Sequence, residues 1–468
     1  MRQKIVPVGS EPIACGVVSY FGGPRGRFAH PETTGGWFSP LRIIIAVTWV
    51  FTSFGFLAKA NCAGGTVGPD GSTVLDWGAN RQYTSACYND IVPLYSGRGL
   101  DQGIFPYAYS WAEGDITRYM EYPVLAGLFQ GALAGLSRAS YGLVDWAGVP
   151  PAGWYFALTA LVLSVLWTLT IVMVCKLAGR RMWDTILVAA SPIIIVHAFT
   201  NWDIPSIFFV VSALVVIRRQ PRRWQLWSGI LIGLGAALKL WPLFILGAYL
   251  VVAVRNSRLS AWFGVAGAAI GAWLAVNVPI ALAYPAAWGE FYRLNSARSW
   301  EWTTIYAVIS RNTGWDFSIS ALNTFSFVAF AVSCAIIAVV GWKLQREPRI
   351  AELIFLILAA FLIFNKVWSP QYSLWLVVPA VLALPHWRLL LSWMVTEMLL
   401  WPVLMWHMIG LDNKGLPHEF LDFMVLVRGG FIIAIAVMII CQMMGKIPDK
   451  VRAAHDGRDP LLGGFARS

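Results

Sequence analysis

One carboxylate lies in a stretch whose residue types could carry out acid–base chemistry. Asp90 belongs to CYNDIVPLYSGRGL, residues 87–100, which is semi-apolar and rich in aromatic residues, as a helix on a membrane surface would be. A carboxylate there can act as a general base when a substrate brings a hydroxyl proton within hydrogen-bond reach. The same aspartate can instead cap a helix or pair with Arg98 on the surface. The residues alone leave these roles open.

Two lysines lie where apolar stretches are predicted to meet a membrane surface. Lys239 is flanked by apolar residues in LKLWP, and Lys366 begins KVWSPQY at another boundary. Such cations either extend along apolar surface to lipid headgroups or bind the phosphate of a lipid-linked substrate. With nearby arginines they could hold a phosphodiester leaving group as its bond breaks. Asn201 and Asp203, in the sequence NWD at a third boundary, either cap the next helix or contact a substrate.

The composition places these polar residues in a lipid environment. Of 468 residues, 58% are hydrophobic and only 13% are charged, about half the charged fraction of a soluble domain. This excludes a water-soluble enzyme. The formal net charge of +11 comes from basic residues in short loops between apolar runs, which orient membrane helices, and not from a basic polar module with interleaved aromatics. We therefore predict a lipid bilayer as a partner and no nucleic acid.

The apolar runs predict an all-α polytopic membrane protein with about twelve spans, each of about 20 residues. The predicted spans begin at Leu41, Gly153, Trp183, Ile204, Leu226, Leu240, Ala261, Ile319, Ile350, Tyr372, Leu389 and Leu421. A further apolar run follows Tyr122, with Glu121 and Pro123 at its start. If this run crossed the membrane, the later basic loops would face outward, against the positive-inside rule. We therefore predict a juxtamembrane or re-entrant helix there, beside a cavity.

This topology predicts three regions with both termini in the cytoplasm. Residues 1–40 are predicted to be a disordered cytoplasmic arm, residues 41–445 the membrane domain, and residues 446–468 a polar cytoplasmic tail. Within the membrane domain, residues 59–152 form a large extracytoplasmic loop. Cys62 and Cys87 both lie in this loop, and an oxidising compartment favours a disulfide between them.

The distribution of polar residues favours one outward-facing chemical site. A transporter would place ionisable residues mid-span, at broken helices in two matching halves of the sequence, and we find no convincing internal repeat. The polar residues gather instead at the predicted outer ends and loops: Asp90, Arg98, Asp101, Glu113, Asp115, Arg118, Glu121, Asn201, Asp203, Lys239, Arg293, Arg298, Glu301, Asn365, Lys366 and Gln371.

Several familiar cofactor and metal motifs are absent from the sequence. There is no Walker loop, no dinucleotide-binding glycine fingerprint, no paired CxxC and no HxxxH. We therefore predict no cofactor. The large loop contains no Asp-x-Asp pair, so we also predict no obligatory metal. An activated donor would have to arrive through the membrane.

Five stretches together resemble the actinobacterial membrane glycosyltransferases of family 87, in the GT-C superfamily. They are the Asp90 segment, EYPVL at 121–125, NWD at 201–203, LKLWP at 238–242 and KVWSPQYSLWL at 366–376. The resemblance spans roughly residues 41–445, and SPQY-x-LWL is its most specific part. The family includes polyprenyl-phosphate-mannose-dependent mannosyltransferases and an arabinofuranosyltransferase.

The resemblance implies a GT-C fold and a reaction at the outer face of the plasma membrane. The donor would be a polyprenyl-phosphate sugar, and the acceptor a hydroxyl of a cell-envelope glycolipid or glycan. Asp90 would be the catalytic base of an inverting transfer, with Lys239 and Lys366 near the donor phosphate. Mannose is the expected sugar and arabinose the alternative. The other substrate-binding residues would be Arg98, Glu121, Tyr122, Asn201, Asp203, Gln371 and Tyr372.

Two other classes of protein compete with this interpretation. A transporter or flippase for a lipid-linked sugar would also use many spans and phosphate-binding lysines. A non-catalytic scaffold with the same fold would keep the cavity without turnover, and only an activity measurement distinguishes it from an enzyme.

Overall fold

Helices dominate the part of the chain that the computed structural model describes, which is residues 11–22, 39–69, 71 and 73–467. The α-helices in this part are α1 (Pro12–Gly22), α2 (Pro40–Ala60), α3 (Arg81–Thr84), α4 (Ile91–Gly97), α5 (Val124–Ser140), α6 (Pro151–Ala178), α7 (Ile186–Ala189), α8 (Pro192–His197), α9 (Ile204–Arg219), α10 (Trp224–Leu238), α11 (Ile245–Arg255), α12 (Leu259–Ala283), α13 (Pro285–Ala297), α14 (Ile305–Thr313), α15 (Ile319–Lys343), α16 (Ile350–Phe364), α17 (Leu374–Ala383), α18 (Trp387–Met408), α19 (His418–Met443) and α20 (Lys450–Ala454). Four short strands, β1 (Gly65–Val67), β2 (Thr73–Leu75), β3 (Trp111–Glu113) and β4 (Ile116–Arg118), form two antiparallel hairpins.

Membrane-spanning helices form the body of the protein. Among the described residues, six helical stretches are long and apolar enough to cross a membrane: α2, residues 151–189 starting with α6, α12, α15, α18 and α19. The chain is therefore an all-α polytopic membrane protein, as predicted. The other predicted spans correspond to residues 179–197, to α9, α10 and α16, and to α11 and α17 with the short helical turns that precede them, Trp241–Phe244 and Pro370–Ser373.

Prolines explain why several of the apolar runs form short helices. Pro192, Pro205, Pro242 and Pro370 each stand in the first turn of a helical segment. A proline lacks the backbone N–H and cannot continue a preceding helix, but it is well tolerated in a first turn. The chain therefore breaks near Asn201, Lys239 and Gln371. These breaks lie together at one end of the bundle, and we call it the site end.

The run after Tyr122 forms a single helix, α5, that packs against α6, α10 and α12. Its buried positions, which include Gln130, Ala134 and Ser137, recur at helical spacing along one face. Its glycines allow close packing, because a Cβ added at Gly127 would lie only 2.6 Å from the Tyr107 hydroxyl oxygen. With 17 residues it is about 26 Å long. That it is juxtamembrane or re-entrant stays a prediction.

The predicted disordered arm, residues 1–40, differs from the structure where the structure describes it. α1 is a helix whose Ala14 and Val18 are fully buried, and it contacts α18. Glu11, just before it, forms an ion pair with Lys450. These two apolar side chains, one helical turn apart, give the segment a face that packs on the domain. The remainder of the predicted arm, residues 1–10 and 23–38, lies outside the described residues.

The predicted polar tail, residues 446–468, also packs against the bundle. Phe465 is fully buried, and its ring centroid lies 5.4 Å from that of Trp224 and 5.3 Å from that of Tyr249. Gly463 has a φ of +39°, and a Cβ there would lie 2.1 Å from the backbone oxygen of Ile217. The tail is thus a packed element, because its few apolar residues insert between helix ends.

A buried arginine, Arg349, attaches the tail to the bundle. Its Nε donates to Asp449 Oδ2 over 2.9 Å, and its Nη1 donates to the Leu382 carbonyl oxygen over 2.8 Å. We expect Arg349→Met to lower the free energy of unfolding by about 3 kcal/mol, because the loss of a partner leaves a buried carboxylate poorly compensated. Thermal unfolding of the detergent-solubilised protein measures this. Arg458, an exposed arginine of the tail, is the control, and an equal loss for Arg458→Met would contradict the role of Arg349.

Candidate active site

The backbone around Asp90 is held from three directions. Asn89 caps α4, because its Oδ1 accepts from the Val92 N–H over 3.0 Å. The Asp90 N–H donates to the Thr200 carbonyl oxygen over 2.8 Å, and Lys59 Nζ donates to the Tyr88 carbonyl oxygen over 2.9 Å. Because Asn89 provides the cap, the side chain of Asp90 is not needed for it.

The carboxylate of Asp90 accepts hydrogen bonds from two side chains at the site end. The Tyr88 hydroxyl donates to Oδ1 over 3.0 Å, and Asn201 Nδ2 donates to Oδ2 over 2.7 Å. Asp90 makes no side-chain cap hydrogen bond, and Arg98 pairs with Glu121 instead. The structure therefore excludes the two alternatives that the sequence left open, a helix cap and an ion pair with Arg98.

The surroundings of Asp90 favour a carboxyl group that binds a proton more readily than usual. Burial raises the pKa of this carboxyl above its ordinary value, while the hydrogen bonds from Asn201 and Tyr88 and the charge of Lys239 act in the opposite direction and are outweighed. The charge on Asp90, together with burial, also raises the pKa of the Tyr88 hydroxyl. Tyr88 therefore stays protonated and donates, and Asp90 is the acceptor of the pair.

The raised pKa of Asp90 predicts an acid limb in the pH–rate profile. A general base works only when it is ionised, so the rate should fall as the pH drops through the pKa of Asp90, which lies above 3.8. Tyr88→Phe removes one donor to the carboxylate and should move this limb to higher pH. A profile of kcat/KM against pH tests both statements. A limb that does not move in Tyr88→Phe would contradict the assignment.

Asn201 connects Asp90 to a cation. Its Nδ2 donates to Asp90 and, over 2.9 Å, to the Tyr122 hydroxyl. Its Oδ1 accepts from the Trp202 N–H over 2.6 Å and from Lys239 Nζ over 3.3 Å. One buried amide thus fixes the carboxylate and the ammonium group on its two sides, so their separation is set by the protein.

Lys239 is held by a carboxylate and by aromatic rings. Its Nζ lies 3.3 Å from Asp203 Oδ1, and it lies over the rings of Tyr122 and Tyr372 at 5.5 and 5.8 Å from their centroids. Trp375 Nε1 donates to the same Asp203 oxygen over 2.9 Å. Burial lowers the pKa of Lys239, but the charges of Asp203, Tyr372 and Asp90 and the hydrogen bond with Asp203 together outweigh it, so the net direction is upward. Lys239 is therefore a charged group facing the site.

A polar cavity of about 370 Å³ opens in front of Asp90 and Lys239. It lies between the Asp90 segment, the start of α5, the end of α13, residues 369–372 and α18. A volume of this size can take a sugar ring and part of an acceptor. Its ionisable and polar lining residues include Tyr88, Asp90, Glu121, Tyr122, Asn201, Lys239, Arg298, Glu301, Gln371 and Tyr372.

A second, mostly apolar cavity of about 530 Å³ meets the polar cavity at Lys239 and Tyr372. Its wall contains Trp241, Phe244 and Phe330, and one side is α15. We call this cavity the near chamber. Phe327, which also lines it, is 72% exposed, so the near chamber is open toward the membrane. The site end therefore offers a polar space and an apolar space that share one cation.

Three of the predicted substrate-binding residues have other roles in the structure. Two guanidinium nitrogens of Arg98, Nε and Nη2, donate to the Glu121 carboxylate over 2.7 and 2.6 Å, and Arg98 is not among the residues lining the polar cavity. Asp203 lies behind Lys239 and does not line it either. Lys366 lines the near chamber, but its Nζ donates to the Arg298 carbonyl oxygen over 2.6 Å, so it holds the end of α13.

Two residues of the polar cavity were predicted only as part of the outward-facing polar group and not as substrate-binding residues. Arg298 lines the cavity immediately after α13. Glu301 lines it too, and its Oε2 accepts from the Thr303 hydroxyl over 2.7 Å. Burial raises the pKa of Glu301 despite this hydrogen bond. Their sequence signals were their place among the polar residues of the predicted outer loops and in an aromatic-rich stretch, SARSWEW, and neither distinguishes them from ordinary interfacial charges.

A disulfide ties the Asp90 segment to the end of α2. Cys62 and Cys87 are bonded, with their Cα atoms 5.5 Å apart, and both are fully buried. Because the bond closes a loop of 25 residues, we expect Cys62→Ser to cost about 3 kcal/mol of stability, seen as a lower unfolding temperature. The transfer rate should fall as well, since Cys87 is three residues from Asp90. Unchanged stability after reduction of the native protein would contradict this.

Comparison with known proteins agrees with the geometry. The model of glycosyltransferase family 87 matches residues 122–370, which is more than half of the chain. Asp90 lies before the matched region, and Gln371 and Tyr372 lie after it. GPI mannosyltransferase 1 of Kluyveromyces lactis is 24% identical over 217 residues, covering 44% of this chain and 52% of that protein, so the chain spans about half the length of this curated relative. The chain belongs to glycosyltransferase family 87.

Proposed function

We propose that the protein transfers one sugar from a polyprenyl-phosphate carrier to a hydroxyl of a cell-envelope glycolipid or glycan, at the outer face of the plasma membrane. The observation that carries this proposal is the junction at Lys239. There a polar cavity with Asp90 in its wall meets an apolar chamber open toward the membrane. A polyprenyl-phosphate sugar has its parts in the same order: the sugar suits the polar cavity, the phosphate suits Lys239, and the prenyl chain suits the apolar chamber.

The proposed reaction is a single displacement at the anomeric carbon. Asp90 takes the proton of the acceptor hydroxyl, and the hydroxyl oxygen forms the new bond to the anomeric carbon. The bond from that carbon to the phosphate oxygen breaks, and the electron pair leaves with the polyprenyl phosphate. Attack from the face opposite the phosphate inverts the configuration. Asn201 keeps the base and the cation apart, so that Asp90 can face the attacking hydroxyl while Lys239 faces the leaving phosphate.

Lys239 has the position to stabilise the leaving phosphate. Its charge is held by Asp203 and by Asn201 before substrate binds, so it needs little reorganisation during the reaction. Arg298 supplies a second positive charge on the wall of the polar cavity. With these two cations the proposed transfer needs no cofactor and no obligatory metal.

Two observations support the side of the membrane, and one supports the sugar. The disulfide Cys62–Cys87 favours an oxidising compartment for the loop that contains Asp90, and the basic loops favour cytoplasmic termini. Mannose is our choice of sugar, because the curated relative is named a mannosyltransferase. Arabinose is the alternative, since no residue of the cavity distinguishes a hexose from a pentose by its type.

The experiment that tests this function follows radiolabel from donor to acceptor. Purified protein in lipid vesicles with EDTA is given radiolabelled polyprenyl-phosphate mannose and a lipid extract of the source membranes. We expect label in a new glycolipid that is absent from protein-free vesicles. If label appears only when arabinose replaces mannose in the donor, the sugar is corrected and the function stands.

The same vesicles distinguish the two competing classes of function. Label that crosses the bilayer as intact donor, with no new glycolipid, would show a transporter instead. If neither transfer nor transport of label is seen with either sugar, the protein is a non-catalytic scaffold. Restoration of transfer by a divalent ion would show that the reaction needs a metal.

A further inference from the structure

A third cavity continues the near chamber away from the site end. It has a volume of about 540 Å³ and shares Phe244 and Phe330 with the near chamber. We call it the far chamber. The ring centroids of Phe244 and Phe330 are 5.0 Å apart, and that of Phe361 lies 4.8 Å from Phe244. These three rings form the boundary between the two chambers.

The far chamber lies between α15 and α11, where α15 contacts its neighbours with only part of its surface. Of its 25 residues, only Leu322 and Gly341 are buried, near its two ends. At Gly341 the contact is close, since a Cβ there would lie 2.8 Å from Val251 Cγ1, and Arg255 Nη1 donates to the Gly341 carbonyl oxygen over 2.8 Å. Between these fixed points the space beside α11 is open and lined by apolar side chains, among them Ala338.

The two chambers together form a long apolar path. They extend along α15 from Phe327 to Trp342, and 15 residues of helix correspond to about 22 Å. This length lies within the hydrophobic thickness of a bilayer, about 30 Å. The polar end of the path is Lys239, and we find no charged residue in the lining of the far chamber. The path therefore fits one occupant with an anionic head and a long apolar chain.

We propose that the far chamber binds the distal part of the donor's polyprenyl chain and thereby determines how long that chain must be for full affinity. This inference rests on the proposed function and adds to it a specificity for chain length. The near chamber accepts the first part of any prenyl donor, and the Phe244–Phe330–Phe361 boundary divides short donors from long ones. Van der Waals contacts of further methylene groups with the walls beyond this boundary strengthen binding and leave the chemical step unchanged.

A substitution that fills the far chamber distinguishes the contributions that the first and the distal part of the prenyl chain make to donor binding. Ala338→Trp should raise KM at least about tenfold for a long polyprenyl donor, because the excluded chain loses the van der Waals contacts of several methylene groups with the chamber wall. For a donor with a geranyl chain, KM should stay within about twofold, and kcat should not change for either donor. Ala331→Trp is the matched control, since Ala331 lies on the same helix, is exposed, and does not line the near or far chamber.

A native thiol allows a measurement that does not depend on turnover. Cys334 is half-buried and lines the far chamber, so long-chain polyprenyl phosphate should slow its labelling by a membrane-permeant maleimide. Geranyl phosphate should not slow it. Cys441, half-buried on α19, is the internal control and should label at the same rate throughout. Mass spectrometry of the two peptides gives both rates.

The outcomes distinguish this inference from the proposed function. Protection of Cys334 by the long chain alone, with a chain-dependent KM in Ala338→Trp, supports the inference. An equal rise in KM for both donors in Ala338→Trp would overturn the inference. So would a rate of Cys334 labelling that does not change with polyprenyl phosphate, and the occupant would then be ordinary bilayer lipid. If Cys334 is protected but no sugar is transferred by the native protein, the transfer function fails while the chain-binding chamber stands.

Discussion

Asp90→Asn is expected to lower kcat for sugar transfer by about 10³-fold, within the range for the loss of a general base. The side chain keeps its size, but an amide cannot accept the proton of the acceptor hydroxyl. Binding of the donor should change little, because Lys239 and the near chamber are untouched. Initial rates with labelled donor, together with donor binding at equilibrium, measure the two effects separately.

The matched control for Asp90→Asn is Asp101→Asn. Asp101 lies in the same loop, accepts from the Gln102 N–H over 3.0 Å, and does not line the polar cavity. We expect this variant to keep the native rate within about twofold, as for an ordinary surface substitution. An Asp90→Asn protein that retains more than a tenth of the native kcat would contradict the assignment of the base.

Lys239→Met is expected to lower kcat by about 10²- to 10³-fold, the usual effect of removing one preorganised group that stabilises developing charge. Here the charge develops on the phosphate oxygen as it leaves. The variant also leaves Asp203 buried without its cation, which costs stability. The rate should therefore be measured beside the unfolding temperature of each protein.

A double substitution separates the catalytic effect from the structural one. Lys239→Met with Asp203→Asn removes both charges, so stability should recover toward the native value while the transfer rate stays low. Asp203→Asn alone should have a smaller effect on kcat, because this residue positions Lys239 and does not line the polar cavity. Recovery of the transfer rate in the double variant would show that Lys239 only neutralises Asp203.

The sequence could predict which residue types take part in the site and near which helix ends they lie. Asp90, Asn201 and Lys239 were selected because their residue types suit a base, a substrate contact and a phosphate-binding cation, although each alone could equally cap a helix or reach lipid headgroups. Their mutual distances could not be predicted, since they are 38 and 111 residues apart and meet only through helix packing. For the same reason Asp203 was indistinguishable from a substrate contact, although the structure places it behind Lys239.

The fold class followed from composition, but the helix lengths did not. Apolar runs predict membrane helices because a lipid-facing backbone must satisfy its own hydrogen bonds. They do not show where a proline at a helix start, such as Pro242 or Pro370, shortens the helix and exposes polar residues. The packed tail was also missed. A single Phe465 inserted between helix ends has no periodic signal, and its burial depends on a space formed by residues more than 200 positions away.

The anomeric configuration of the product tests the central claim most directly. The claim is a single displacement by a hydroxyl that Asp90 deprotonates. With a donor of defined anomeric configuration, the one-bond carbon–proton coupling at the anomeric carbon of the isolated product assigns its configuration by NMR. We expect the inverted configuration. A retained configuration would contradict the account, because a single attack from the face opposite the phosphate cannot give it.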